Sequence, residues 1–544
     1  MFLLLFFFSW SITTALAQFV VQAQKPEFRP DLTWDLGIGP GLNDTANLVF
    51  NTVHSLLLGW PNRRYRNGHT VVPGVIPTGT FLYHGRGDPV VPTHPEWTAL
   101  DFELSTLYCG LFTPDGEGCW HLTLVAERPL NILYFDGYSG LKLPGSGTLD
   151  SQDVLAWGEV MPDRYHDEPQ RIVDLCKWGQ NFGLDGFVRL HTSYEVMLCD
   201  FSSGLKVKSM LHINIPYLPP SPNISSHLSS AYQNTIAPGM KLGVPLDSFG
   251  MGELLASKRI DEYPGETRIQ LHLHRLVSFY DTELVPSLIS TRFGKHRLQH
   301  RILGISHSDI QAVRHRVQIE LSTSTKSAHD IAWSSLFRAI VQQYAARLEL
   351  IQHDLNSTDR SIGSLSTTLR ATFLQLRGLL QPYDLVSTRA AVDGTKDKLS
   401  WVTQVYEMCA TAYPTFSSAS GPANFTTSEN LMLTALKATN REICRVITSM
   451  WADGISHQLE NPLASSHNTR MLFRSIHKRW KEDIDSLMLW LDWSVWLKCN
   501  PSCSLNEMCY LPMSPYLVPG ADPADDWITQ ARDPRPTCVP KHSR

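Results

Sequence analysis

Gly186-Phe187-Val188-Arg189-Leu190 and Tyr194-Glu195-Val196-Met197-Leu198-Cys199-Asp200-Phe201 are two short runs rich in β-branched and aromatic residues. Runs of this kind bounded by Gly, Pro and Asp read as strands. A helical stretch around Arg171–Gln180 precedes them, and three similar runs, Gly79–His84, Trp120–Glu127 and Asn131–Phe135, lie upstream. Strands mixed with helix from Val71 to about Ile215 predict an α+β module.

The second half has another period. Trp333, Phe337, Ile340, Tyr344, Leu348, Ile351 and Leu355 fall at spacings of three and four, the apolar stripe of one long helix. Ser327 is a candidate cap for it, with Asp330 in its first turn. Leu365, Leu369, Phe373, Leu376 and Leu380 repeat the pattern and stop before Pro382. A third stripe holds Leu436, Ile443, Ile447 and Trp451, and a fourth holds Phe473, Ile476, Trp480, Ile484, Leu487 and Leu491. Helices with one apolar face each predict an all-α bundle.

Residues 1–17 have the form of a cleaved signal peptide. Phe2–Ile12 is an apolar or small-residue run, shorter than the ~20 residues of a spanning helix, and Ala15-Leu16-Ala17 ends it in the small-x-small pattern of a cleavage site before Gln18. No later segment reads as a membrane span, and Cys538-Val539-Pro540-Lys541-His542-Ser543-Arg544 lacks the hydrophobic tail of a lipid-anchor signal. Four glycosylation sequons begin at Asn43, Asn223, Asn356 and Asn424. The expected product is a soluble, secreted glycoprotein.

Ten cysteines suit a disulfide framework. Cys499, Cys503, Cys509 and Cys538 crowd a Pro-rich tail and are expected to bridge among themselves, because no helical His pair follows to make a zinc site. Cys109 and Cys119 are close enough to close a short loop, and Cys176 with Cys199 and Cys409 with Cys444 are further candidate pairs. The expected order is signal peptide (1–17), N-terminal extension (18–70), α+β module (71–215), Pro-rich linker and unassigned region (216–305), helical domain (306–498) and Cys-rich tail (499–544).

A net charge of -5 gives no broad electrostatic reason to expect nucleic acid as a partner. The local basic run Arg292, Lys295, His296, Arg297, His300 and Arg301 reads as a solvated loop or helix face. Serine-hydrolase elbows, H-E-x-x-H, P-loop and G-x-G-x-x-G motifs are absent.

One ordered set remains: the strand Gly79-Thr80-Phe81-Leu82-Tyr83-His84-Gly85-Arg86, then Glu96-Trp97-Thr98-Ala99-Leu100-Asp101, then Ser105-Thr106-Leu107-Tyr108, and far downstream the strand carrying Glu195. A His-Gly at a strand end, two aromatics and a late strand-borne Glu resemble the diphtheria-toxin and poly-ADP-ribose-polymerase branch of the ADP-ribosyltransferases. That resemblance implies a split sheet and NAD as substrate, bound by His84 and Gly85, with Trp97 and Tyr108 holding the nicotinamide ring. It makes Glu195 catalytic, beside an oxocarbenium-like centre where a carboxylate stabilises developing positive charge. Position 193 is Ser, where arginine-modifying relatives carry Glu, so simple NAD hydrolysis is as consistent with the resemblance as ADP-ribosyl transfer to another small molecule or a protein.

Two other readings start from different features. Asp101, Glu103, Asp136, Asp150 and Asp153 could include the carboxylate pair of a glycoside hydrolase, which needs two carboxyls roughly 5–10 Å apart across a cleft. Alternatively the chain is a non-catalytic secreted glycoprotein whose α+β module binds a partner. Phrases such as Tyr134-Phe135-Asp136-Gly137, Gly147-Thr148-Leu149-Asp150 and Leu184-Asp185-Gly186-Phe187 also resemble uncharacterised secreted proteins of filamentous fungi.

Overall fold

The computed structural model describes residues 34–41, 43–106, 119–142, 145–214, 264–292, 294–323, 331–357, 361–386, 400–413, 425–460, 467–511 and 533–540. The expected signal peptide, Tyr108, Cys109, the Asn223 sequon, Asn424 and the proposed cap Ser327 lie outside them.

The sheet-rich region comes first. Helices α1 (Ala46–Ser55) and α2 (Gly59–Arg64) lead into strands β1 (Thr70–Ile76), β2 (Phe81–Arg86), β3 (Glu96–Ala99), β4 (Cys119–Ala126) and β5 (Leu130–Phe135). Then come α3 (Asp150–Trp157), α4 (Glu168–Gly179), β6 (Gly186–Leu190), β7 (Tyr194–Leu198), β8 (Leu205–Ile213), and the short β9 (Gln270–Leu271) and β10 (Val277–Ser278). Instead of splitting in two, these ten strands form one sheet in the order β10-β1-β5-β6-β7-β3-β2-β4-β8, with β9 also on β1. Only β5–β6 is parallel, as expected where α3 and α4 supply the crossover.

β1 is legible only in three dimensions, because Pro73-Gly74 breaks the strand pattern. Pro73 sits where the neighbour of β1 changes from β10, paired at Thr70 and Val71, to β9, paired at Gly74 and Val75. A Cβ on Gly74 would lie 2.6 Å from the Gln270 carbonyl, so only glycine admits β9 this closely. Residues 264–305, expected to belong to the linker region, therefore include part of the sheet edge.

The helical region follows: α5 (Ser287–Arg292), α6 (His307–Ser322), α7 (Trp333–Leu355), α8 (Ile362–Leu380), α9 (Ser400–Ala410), α10 (Thr427–Ser456) and α11 (His467–Leu491). The four stripes read from the sequence are buried throughout. Thr426 caps α10 in a capping box with Glu429. α1, expected in an extension, is part of this core: the Phe50 ring lies 4.8 Å from Phe337, and the Asn51 amide donates to the Leu491 carbonyl at 2.6 Å. One hydrophobic cluster runs from Ala46 to Leu511 through both regions.

Disulfides join Cys176 to Cys199, Cys409 to Cys444, Cys499 to Cys509 and Cys503 to Cys538. The first staples α4 to the residue after β7, and the last two close within the terminal cysteine cluster, beside the hairpin β11 (Glu507–Tyr510) and β12 (Thr537–Pro540). Cys119 is also disulfide-bonded. No helix among the described residues is long and apolar enough to cross a membrane.

Gly454 of α10 faces the Phe373 ring so closely that an added Cβ would overlap it, with Trp480 3.3 Å away. Helix propensity alone favours alanine by about 1 kcal/mol. We expect Gly454→Ala nonetheless to destabilise by about 1–3 kcal/mol, measured by urea unfolding; a more stable variant would show that the α8–α10 contact is loose.

Candidate functional site

Register decides which of the expected site residues can meet. Tyr83 of β2 pairs with Ala99 of β3, and Ala99 pairs with Glu195 of β7. Directly paired residues share a sheet face and neighbours along a strand alternate. Glu195 therefore lies on the face of Tyr83 and Ala99, while His84 lies on the opposite face. Trp97, paired with Met197, shares the face of Glu195, and Gly85 is buried within β2. The cleft expected to hold His84 and Glu195 together is not formed, because one residue of register separates their directions.

Glu195 instead ends in a buried ionic network under α3 and α4. Arg189, its cross-strand partner, donates from Nε to Glu195 Oε1 at 2.5 Å and from a terminal nitrogen to Glu168 Oε2 at 2.6 Å. Arg189 also reaches Gln152, and Arg171 bridges Glu168 and Asp153. Burial opposes the charge on Glu168, but Arg189, Lys142 and Arg171 outweigh it and hold the carboxyl well below the usual range. The arrangement clamps two helices to the sheet, and its carboxylate is already committed to a guanidinium.

The other carboxylates are also engaged. Asp101 accepts from the Ser193 hydroxyl and pairs with Arg268 at 3.1 Å. Asp150 binds Arg301 at 2.7 Å and the amides of Ile302 and Leu303. Asp153 faces Arg171, and burial still pushes its pKa up to about 6. Glu103 lies half-buried in the short helical segment over residues 102–106. The basic run is a solvated face only in part: Lys295 and His296 are exposed, but Arg292 and His300 are buried and Arg297 pairs with Asp492 at 3.5 Å. Arg292 and His300 turn inward because both contact the buried Tyr280.

Asp136 borders a cavity lined by Thr52, Ser55, Asn62, Tyr65, Asn67, Tyr280 and Arg297, with about 20 Å³ open to the centre of a water molecule. One water needs roughly 10–15 Å³ on that measure, so the chamber suits one or two waters and excludes a nucleotide. Burial pushes Asp136 up to about 7, against the Thr70 amide and Arg297. Burial also pushes His69 down to about 3 and His300 down to about 4.

Sequence reasoning missed a surface feature. Phe81 and Tyr83 alternate on one face of β2, their rings 6.5 Å apart and inclined by 21°. Phe102 stands edge-on to Tyr83 at 6.0 Å and lies 4.4 Å from His121. Phe81 is 42%, Phe102 47% and Leu211 55% exposed, and Leu211 joins the strip through its pairing with His121. The His121 Nε2 lies 2.7 Å from the Ser105 hydroxyl. Burial and the nearby His84 push the His121 pKa down to about 4, so the strip is uncharged at neutral pH. Lys206 at its border pairs loosely with Glu127. The available signal was aromatic alternation, Phe81-x-Tyr83, which does not say whether its face is wet.

Cys499, Cys503 and Cys509 cluster within 4.8 Å, but each is in a disulfide and has no thiolate for a metal.

Residues 42–117 and 113–227 match the family described as YPL277C N-terminal domain. The chain is 32% identical over 234 residues to the uncharacterized protein YPL277C of Saccharomyces cerevisiae, covering 34% of this chain and 47% of that protein. It is 32% identical over 233 residues to the uncharacterized protein YOR389W of the same yeast, covering 34% and 36% respectively. The matched segment thus spans less than half the length of either relative. No solved structure matches.

Proposed function

We propose that the protein is an exported glycoprotein that acts by binding a neutral polysaccharide on the aromatic strip of β2 and β4. The carrying observation is the nearly parallel Phe81–Tyr83 pair, extended by exposed Phe102 and Leu211. Exposed contiguous apolar surface marks interaction sites. Flat aromatic faces pack against the C–H faces of sugar rings, while Ser209 and Thr123, paired across β4 and β8 on the same face, offer hydroxyls. The lack of net charge suits an uncharged polyol better than a phosphate or nucleotide. Exposed Asn43 and Asn356 and the disulfides are consistent with export.

The test is retention on insoluble β-glucan, chitin and cellulose. We expect saturable binding to at least one, weakened about tenfold by Phe81→Ala with Phe102→Ala, with unchanged melting temperature. Absence of binding by the parent, or equal binding by the variant, would reject this reading. NAD consumption abolished by Glu195→Gln in a folded protein would put NAD cleavage in its place.

A further inference from the structure

We infer that Asn43 is an N-glycosylation site that accepts its glycan only before the chain folds, because the fold occupies the hydroxyl by which the site is recognised. This rests on the export half of the reading above and not on the aromatic strip. The acceptor triplet is Asn43-Asp44-Thr45. The requirement for Ser or Thr as its third residue makes that hydroxyl part of what the transferase must bind.

In the folded chain Asn43 is exposed in a turn, but Thr45 is only 8% exposed. The Thr45 hydroxyl donates to the carbonyl oxygen of the buried Tyr280 at 2.8 Å. The backbone is held as well. The Asp44 amide donates to the Gly41 carbonyl at 3.0 Å, and Asp44 Oδ1 accepts the Ala46 amide at 2.8 Å. The Thr45 carbonyl accepts the Leu48 and Val49 amides at the start of α1. To release Thr45, α1 must leave the core. Every residue of α1 but Asn47 is buried, and Asn47 and Asn51 tie it to the Trp490 and Leu491 carbonyls.

Chain order decides the timing. Tyr280 follows Thr45 by 235 residues. At about 5–20 residues per second, the carbonyl that captures the hydroxyl is made roughly 10–50 s after Thr45. Over that interval no Tyr280 exists to compete with the transferase. The Asn43 side-chain nitrogen attacks the anomeric carbon of a lipid-pyrophosphate oligosaccharide. The new C–N bond replaces the C–O bond to pyrophosphate, the nitrogen gives up one proton, and the lipid pyrophosphate departs. Because Asn43 stays outside the core, α1 docks afterwards with the glycan in place.

The experiment has two arms. In the first, the full chain secreted from a yeast host is mapped by mass spectrometry, with a glycan expected on Asn43. In the second, the full chain is folded with its disulfides in a host that does not glycosylate. It is then offered to purified oligosaccharyltransferase with dolichyl-pyrophosphate oligosaccharide, beside a synthetic peptide of residues 38–50. We expect Asn43 to be modified at least about tenfold faster in the peptide, since the folded chain exposes Thr45 only by local unfolding. Thr45→Ala should lose the glycan and also melt below Asn43→Gln, which lacks the same glycan but keeps the bond to Tyr280. A secreted chain with Asn43 bare, equal rates for peptide and folded chain, or equal melting of the two variants would overturn the inference while export stands. A chain that never enters the secretory route overturns export itself, and this site with it.

Discussion

Glu195→Ala should lower the unfolding free energy by about 3–5 kcal/mol, the usual consequence of leaving a buried ion without its partner. Arg189 is almost wholly buried and divides its donors among Glu195, Glu168 and Gln152. Removing Glu195 leaves its Nε without a counter-charge beneath α4. Combining Glu195→Ala with Arg189→Met should recover part of the loss, because the uncompensated charge is gone. The coupling between the two changes should be about 0.5–3 kcal/mol in a double-mutant cycle. Guanidinium unfolding measures all three variants. A single variant within about 1 kcal/mol of the parent would show that the network is not structural.

Asp136→Asn should remove a pH dependence that the parent shows. The Asp136 pKa rises from 3.8 to about 7 on folding, so between those values the folded chain binds a proton that the unfolded chain has released. Its contribution is most favourable below about pH 4, falls as pH rises, and levels off above about 7. At 1.36 kcal/mol per pKa unit, the parent should lose on the order of 4 kcal/mol relative to Asp136→Asn over that window. Thr70 can still donate to the Asn oxygen, so the bond now made to Asp136 Oδ1 survives. His69 and His300, held neutral by burial, have the opposite dependence and destabilise the fold as pH falls. They, with Arg297, Tyr65, Tyr280 and Asp492, are common to both proteins and largely cancel in the difference. Stability curves that run parallel from pH 4 to 8 would rule out a buried, protonated Asp136.

The resemblance that led to His84 and Glu195 rested on their order along the chain. Order was read correctly as far as strands go: β2 and β7 exist and flank β3. It carried no information on parity, since a one-residue slip in pairing reverses which face a side chain occupies. His84 was thereby directed toward Glu96, and Glu195 toward Arg189.

What the sequence by itself determined is the local, periodic part of the protein. The stripes from Trp333 to Leu491 became buried helix faces, since a 3.6-residue period needs only neighbours on the same helix. Cys176–Cys199, Cys409–Cys444 and the closed terminal cysteine cluster were likewise among the pairings that the sequence suggested. Only the tertiary structure decided which charges were buried and which aromatics stayed wet. The Asp136 chamber draws Asn62, Tyr280 and Arg297 from distant segments, and the aromatic strip joins β2, β4 and the turn at Phe102. Such sites depend on strand register and long-range packing, and no local period encodes contacts between residues so far apart in the chain.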